Sequence, residues 1–336
     1  MTNSIYKLLL SPILVAFMPF AAFAQLENPH NDPAKVLGSE SCAKCHDAEI
    51  AVWKKTPHYG TFKNLHRKPE AKEIAKRMGI RSIKRGETCI KCHYTEQVHG
   101  AKTKAISGIS CESCHGASKD WIKLHNDYGG PNVSKLQESA DHKIARREKS
   151  IAHGMRNPVN LYLVARSCLN CHTTPNEKLV NVGQHPAGST DFELVSWSQG
   201  MVRHNFMASD GKHNTPSSPE RLRVMFVSGV MADLEFSLRA TAKASVKAKF
   251  GVTSAVRANT MRKQLNLIQT HVNHPAIQQA VTAANAVELK LGNEAALEQA
   301  ADAIADAGFE FAKNASGAEL AALDPLLPAK SKYKTK

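Results

Sequence analysis

The pattern of hydrophobic and polar positions divides the chain into two parts. Beyond residue 216, apolar side chains recur about every four residues, as in Leu222, Phe226, Val230, Leu234 and Leu238. This spacing is typical of one buried helix face. Ser218 can cap that helix, with Pro219 at its first position. Four helices are predicted, over 219–249 and 253–272, from Pro275 to before Gly292, and from Asn293 to about 313.

The preceding part, residues 35–212, shows little periodicity and many loops. Short helices are predicted over Asp47–Lys55, where Pro57 stops the helix, and over Pro69–Met78 and Leu136–His153. The predicted fold class is mainly α, with a loop-rich core followed by a C-terminal bundle of long helices. The predicted regions are 35–212, a helical region over 217–328 after a polar linker, and a disordered basic tail over 329–336.

The first 24 residues have the features of a signal peptide. Lys7 provides a basic start, an apolar run extends from Leu8 to Phe23, and Ala22-Phe23-Ala24 is a small-x-small cleavage site. The apolar run is shorter than the roughly 20 residues that a membrane span needs. We therefore expect export to the periplasm, cleavage before Gln25 and no integral membrane segment. Export also excludes nucleic acid as a partner of this basic chain, whose formal net charge is +14.

All eight cysteines belong to one repeated motif, Cys-x-x-Cys-His. The four copies are Cys42, Cys45 and His46; Cys89, Cys92 and His93; Cys111, Cys114 and His115; Cys168, Cys171 and His172. In this motif the two thiols add to the vinyl groups of one haem, and the histidine ligates its iron. The motif count predicts four covalently bound haem c groups.

Three other chemistries use paired cysteines, and each fits this pattern less well. Zinc sites do not need a histidine directly after every second cysteine. A thioredoxin-like redox motif would occur once, within a βαβ unit. Disulfide bonds, although common in exported proteins, leave the four identically placed histidines unexplained.

The second axial ligand of each iron must come from elsewhere in the chain. Nine further histidines lie between residues 46 and 213, and they favour histidine over methionine as that ligand. We favour His58, His125, His185 and His204 as the four distal ligands. His66, His142 and His213 lie in polar surroundings typical of the surface, and His99 and His153 are less favoured.

The run from Cys42 to His172 resembles the tetrahaem cytochrome c-554 family, which is known from ammonia-oxidising bacteria. The resemblance rests on Ala51-Val-Trp-Lys-Lys-Thr-Pro-His58 after the first motif and on Gly108-Ile-Ser-Cys-Glu-Ser-Cys-His-Gly116 around the third. It implies distal histidines at His58 and His125 and another after the fourth motif. It also implies that the His93 haem lacks a distal protein ligand. Residues 182–200 have no counterpart in that family.

These features predict a periplasmic electron carrier that transfers electrons between redox partner proteins. The alternative is a reductase or oxidase of a small nitrogen or sulfur species, acting at a five-coordinate haem on Cys89, Cys92 and His93. No residue is predicted to be catalytic in the carrier. The C-terminal helices are expected to pack on the haem-bearing part or to form a homodimer interface, and a docking surface for a redox partner is the other possibility.

Overall fold

The computed structural model describes residues 30–335, so the predicted signal peptide lies outside the described part. Helices account for 55% of the residues and strands for 4%, which confirms the mainly α fold class. Among residues 30–335, no helix is long and apolar enough to cross a membrane.

The haem-motif part is built from short helices and one hairpin. Its helices are α1 Asp47–Trp53, α2 Pro57–Asn64, α3 Pro69–Arg77, α4 Glu87–His93, α5 Cys111–His115, α6 Ala140–Ala152, α7 Leu161–His172, α8 Glu177–Asn181 and α9 Leu194–Ser198. The predicted helices near 47, 69 and 140 are present with somewhat shorter bounds. Strands β1 Thr95–His99 and β2 Lys102–Ser107 form an antiparallel pair that the sequence pattern did not predict.

Pro57 begins a helix as well as ending one. The hydroxyl oxygen of Thr56 accepts a hydrogen bond from the amide of Tyr59 (3.3 Å), and Pro57 occupies the first position of α2. Proline is favoured there because the missing N–H would have no partner inside the helix. His58 therefore lies in the first turn of a new helix, and not in a loop after the first helix.

Four helices make up the C-terminal region: α10 Pro219–Ala242, α11 Lys249–His271, α12 Pro275–Asn285 and α13 Glu294–Asn314. Ser218 caps α10, as predicted. This helix ends at Ala242, earlier than the predicted residue 249, because the loop that follows it is bound to α8. The amide and hydroxyl of Ser245 both donate to the carboxylate of Glu177, which replaces further helical hydrogen bonds by a tertiary contact.

The main hydrophobic core is shared between the two parts. Leu161, Tyr162, Ala165 and Leu169 of α7 are buried in the same cluster as the inner faces of α10, α11, α12 and α13. The helix that carries the fourth motif is therefore continuous with the C-terminal bundle. This packing agrees with the interpretation that the C-terminal helices cover the haem-motif part.

The predicted disorder of the basic tail was wrong for the part that the structure describes. The amide of Lys334 donates to the carbonyl of Ser196, and its carbonyl accepts from the amide of Met201. Its ammonium group lies 2.8 Å from a carboxylate oxygen of Asp191. Composition suggested a free end, but these contacts attach the tail to the segment around α9.

Candidate haem-binding sites

Each Cys-x-x-Cys-His motif lies on a helix or helical turn. The second, third and fourth motifs end α4, α5 and α7, and the first begins at the last residue of a 3-10 turn over Ser39–Cys42. Residues three and four apart lie on one face of a helix, so both thiols and the histidine of a motif point to the same side. This is the arrangement that attachment of one porphyrin requires.

All eight cysteines are free thiols in the structure. Burial raises the pKa of the thiols of Cys89, Cys114 and Cys168. Raised pKa values are unlike those of catalytic redox dithiols, which depend on a lowered thiol pKa. Two thiols differ: interaction with the Cys111 side chain lowers the pKa of Cys42 to about 7, and interaction with the Cys171 side chain lowers the pKa of Cys92.

Cysteines of different motifs contact each other in two places. The side chain of Cys42 in the first motif lies beside that of Cys111 in the third. The side chain of Cys92 in the second motif lies beside that of Cys171 in the fourth. The third and fourth motifs are also neighbours, since the Ser167 hydroxyl in α7 donates to the Cys114 carbonyl (3.1 Å). Contacts thus join the motifs in the order first, third, fourth, second.

Every motif histidine faces one histidine from another segment. The distances between ring centroids are 6.4 Å for His46 and His125, 6.3 Å for His172 and His58, 6.2 Å for His93 and His185, and 6.1 Å for His115 and His204. The four partners are the four histidines favoured from the sequence.

These separations suit one metal ion between the two rings of each pair. Bonds between an imidazole nitrogen and a transition metal such as zinc are about 2.0–2.1 Å long, and that nitrogen lies about 1.2 Å from the ring centroid, so two rings on opposite sides of one metal have centroids about 6.4 Å apart. All four pairs lie within a few tenths of an ångström of this value. The residues therefore fit an iron with two axial imidazoles.

In four of these rings, a hydrogen bond at Nδ1 leaves the other ring nitrogen, Nε2, available to bind a metal. Nδ1 pairs with a backbone carbonyl in His125 (Ile122, 2.6 Å), His185 (Pro186, 2.8 Å), His204 (Val202, 2.6 Å) and His115 (Arg156, 3.3 Å). A carbonyl only accepts, so Nδ1 must carry the proton and Nε2 keeps its lone pair. Such bonds orient metal-ligating histidines and raise their basicity.

Burial favours the neutral, ligating form of three motif histidines, because it lowers the pKa of His93, His115 and His172. The pKa of His93 is lowered to about 4 by burial and then by the neighbouring His185 and His58. Burial followed by His204 lowers the pKa of His115 to about 4. For His172, burial, His58 and then Arg257 lower the pKa to about 4.

Three polar atoms beside the paired histidines are buried without a hydrogen-bond partner among the described residues. They are the hydroxyl of Tyr94, the indole nitrogen Nε1 of Trp121 and Nε of Arg203. Tyr94 follows His93, Arg203 precedes His204, and the Trp121 ring lies edge-on to His125 with a centroid distance of 5.2 Å. Buried donors of this kind normally have a hydrogen-bond acceptor. A haem carboxylate is an acceptor that would satisfy them.

The other histidines in residues 46–213 have different surroundings. His99, His153 and His213 are exposed, and Nδ1 of His153 bonds to the carbonyl of Lys149 in its own helix. Nδ1 of His142 is hydrogen-bonded to the carboxylate of Glu138, at 2.8 Å. His66 was expected at the surface but is half-buried, with Nδ1 shielded from solvent.

Three arginines that the sequence analysis missed hold the backbone beside the paired histidines. Arg146 donates to the carbonyl of His125, Arg156 to the carbonyl of Ser113 (2.7 Å), and Arg257 to the carbonyl of His172 (3.1 Å). Arg257 lies 85 residues from His172 in the sequence, so no local pattern connects the two. Only the tertiary structure shows that these arginines belong to the site.

Two comparisons with known proteins give matches. Residues 41–116 match the family model described as cytochrome c554 and c-prime. Cytochrome c-554 of Nitrosomonas europaea is 29% identical over 103 residues, which are 27% of this chain and 43% of the relative. The match thus spans less than half the length of that relative. No solved structure matches the chain.

The motifs and both matches are those of c-type cytochromes, the class of proteins that binds haem c covalently. Within that class, the comparisons support the cytochrome c-554 family and confirm the resemblance seen in the sequence.

Proposed function

We propose that this protein is a periplasmic electron carrier that binds four haem c groups and passes electrons between redox partner proteins. The observation that carries the proposal is the pairing of every motif histidine with one further histidine at 6.1–6.4 Å. Haem, when bound, supplies an iron that alternates between ferric and ferrous states. The predicted signal peptide and cleavage before Gln25 support the periplasmic location.

The residues of the chain have three tasks in this proposal. The eight cysteines hold the porphyrins, and the paired histidines His46–His125, His93–His185, His115–His204 and His172–His58 would provide two axial nitrogens at each iron. Histidine at both positions favours lower potentials than the histidine–methionine pair. The contacts between motifs support an electron route in the order first, third, fourth, second.

His185 decides between the carrier and the alternative reductase or oxidase. The alternative needs an open coordination position at the His93 iron, which the family resemblance implies. Here the ring of His185 lies 6.2 Å from that of His93, and its Nδ1 is bonded to the carbonyl of Pro186. This geometry supports a closed position and therefore a carrier.

Spectroscopy of the oxidised protein tests this proposal. We expect mass spectrometry to show four haems, and electron paramagnetic resonance to show only low-spin iron that binds no carbon monoxide after reduction. H185A should create one high-spin haem that binds carbon monoxide. H153A is the matched control, because His153 is exposed and faces no motif histidine, and it should stay fully low-spin. A high-spin, ligand-binding haem in the unmodified protein would overturn the carrier.

A basic face beside the second motif is the surface we propose for docking an acidic redox partner. Residues 63–91 contain ten lysines and arginines against three acidic residues. Lys68, Lys72 and Lys76 are exposed and spaced by four, so they follow one side of α3. Like charges at this spacing destabilise a helix, and the stripe therefore has a cost that binding an acidic surface would offset.

This face is directly attached to the second motif. Ala75 of α3 is buried in one cluster with Cys89 and Ile90 of α4. The guanidinium of Arg77 reaches the carbonyl of Gly183 (3.4 Å), in the loop that carries His185. An acidic partner bound to the lysine stripe would therefore lie close to the second motif, at one end of the proposed route.

Electron exchange with small charged reagents tests the docking face. The triple variant K68E/K72E/K76E should slow oxidation of the reduced protein by anionic ferricyanide about tenfold or more at low salt. The difference should shrink as salt screens the charges, since the Debye length is about 8 Å at 0.15 M. K247E/K263E/K313E, three exposed lysines of the C-terminal part, is the matched control. If both triple variants slow oxidation by ferricyanide equally, the effect arises from net charge alone, and this result would contradict docking at the lysine stripe.

A further inference from the structure

The histidine of the fourth motif has surroundings unlike those of its counterparts. Nδ1 of His172 bonds to a hydroxyl, that of Ser189 (3.0 Å), whereas Nδ1 of His115 bonds to the carbonyl of Arg156. The amide of Ser189 donates in turn to the His172 carbonyl (2.8 Å). The imidazole stacks on the ring of Phe192, with centroids 4.5 Å apart and planes 25° apart. The loop over residues 188–192 therefore covers this histidine from one side.

An ion pair of the C-terminal helices holds that loop in place. Nη1 of Arg257, in α11, donates to the carbonyls of His172 (3.1 Å) and Ser189 (2.9 Å). Its Nε and Nη2 donate to the two carboxylate oxygens of Asp233, in α10, at 2.6 and 2.7 Å. Only 9% of the Arg257 side chain and 6% of the Asp233 side chain is exposed.

The backbone leaves space for the guanidinium at this point. Gly188 has a φ of +79°, and a Cβ there would lie 2.8 Å from the His172 carbonyl oxygen and 3.1 Å from Nη1 of Arg257. Glycine is favoured because it adopts positive φ without strain and has no side chain to block the contact. The loop, the arginine and the motif histidine thus form one closely fitted unit.

We propose that Arg257 and Asp233 are positioning residues that set the reduction potential of the fourth-motif haem, an inference that rests on the proposed four-haem function. The guanidinium lies between the carboxylate and the backbone of His172. The buried positive charge of Arg257 beside His172 favours the reduced iron, which carries one positive charge less than the oxidised iron. The carboxylate of Asp233 opposes this effect. The C-terminal helices would then tune electron transfer as well as cover the core.

Variants that remove one charge at a time should shift one potential in opposite directions. R257Q should lower one of the four midpoint potentials, because the positive charge is lost. D233N should raise the same potential, because the positive charge is no longer compensated. R257K keeps the charge but not the bonds to both carbonyls, so it should change the resonance signature of one haem more than its potential. If the two residues had a purely structural role, the shift in midpoint potential would not have opposite signs in R257Q and D233N.

The matched control is R239Q. Arg239 lies on α10 in ion pairs with Glu235, Glu298 and Asp302, and none of them touches a paired histidine. This variant should leave all four potentials unchanged. Shifts of equal sign in R257Q and D233N, shifts in all four haems, or no shift would overturn the inference.

Failure of the proposed function is distinguishable, because the unmodified protein would then carry fewer than four haems or bind carbon monoxide. If R257Q itself incorporates fewer haems, D233N and R257K decide: a raised potential in D233N supports the inference, and an unchanged one contradicts it.

Discussion

The two parts of this protein obtain their cores in different ways. In the C-terminal region, helices α10, α11, α12 and α13 bury a large apolar cluster together with α7. In the motif-bearing part, the apolar cluster around the second motif has five buried members, which are Ala75, Ile83, Cys89, Ile90 and Tyr94. Few buried apolar side chains give little driving force for folding. We therefore expect bound haem to complete the core of the motif-bearing part, while the polypeptide alone provides the core of the C-terminal region.

Removing the cysteines that attach haem should have the largest effect, and it should affect the two parts differently. With all eight cysteines replaced by serine, we expect the amides of α4 and α5 to lose their protection from hydrogen exchange. The amides of α10, α11 and α13 should stay protected, because their buried contacts are apolar side chains of the polypeptide. Hydrogen exchange followed by mass spectrometry measures both regions in one sample. Equal loss of protection in both would show that the C-terminal core also depends on haem.

The connection between the parts should be sensitive to one buried carboxylate. Glu235 of α10 is fully buried and accepts hydrogen bonds from the Tyr162 hydroxyl (2.9 Å), Arg166 (2.9 Å) and Arg239 (3.0 Å). Breaking a buried ion pair from one side costs about 3–5 kcal/mol, so E235A should lower the free energy of unfolding by that amount. Chemical denaturation of the holoprotein measures it.

E298A is the control for this prediction. Glu298 also pairs with Arg239 but its side chain is 33% exposed. A partly exposed ion pair contributes about 0–1 kcal/mol. If E235A and E298A destabilise the protein equally, the buried network does not join α7 to the C-terminal helices as its hydrogen bonds indicate.

The sequence predicted the C-terminal helices better than it predicted the arrangement of the site. Periodicity and caps such as Ser218 act within a few residues, so they are visible in the sequence. The same holds for the motifs, where attachment of one haem requires adjacent residues. The structure brings His58, His125, His185 and His204 opposite the motif histidines, and their ligation of iron stays a prediction.

The pairing within the site could not be predicted, because it depends on contacts that are distant in sequence. His58 follows the first motif but faces His172 of the fourth. Arg257 and Ser189 give no local signal for their contact with that histidine. The early end of α10 has the same cause, since the contact of Ser245 with Glu177 belongs to the tertiary structure.

Two glycines allow a smaller test of packing in the two parts. Gly308 of α13 lies under the Tyr162 ring, and a Cβ there would be 2.3 Å from a ring carbon. G308A should therefore destabilise the protein by about 1–3 kcal/mol through overpacking. G60A is the matched change in α2, where a Cβ would be 3.4 Å from the nearest atom, the side-chain nitrogen of Asn64. It should stabilise by about 0.5–1 kcal/mol, since alanine loses less backbone freedom on folding. Thermal unfolding distinguishes the two signs. A G308A variant as stable as the unmodified protein would contradict the close contact of Gly308 with Tyr162, and a destabilised G60A variant would contradict the open surroundings of Gly60.

The smallest change in stability is expected for the Glu138 carboxylate in the motif-bearing part, whose contribution depends on pH. Hydrogen bonding to Arg146, and then to His142, lowers the pKa of the Glu138 carboxylate to about 2. The folded pKa is below the unfolded value of about 4.3, so the stabilisation is complete above that pH and is lost as pH falls through about 2. E138Q should therefore be less stable than the unmodified protein at pH 7, with a difference that narrows below about pH 4. E148Q, at an exposed position on helix α6, controls for the loss of a carboxylate. A stability difference that stays constant from pH 7 to pH 2 would contradict the ion pair with Arg146.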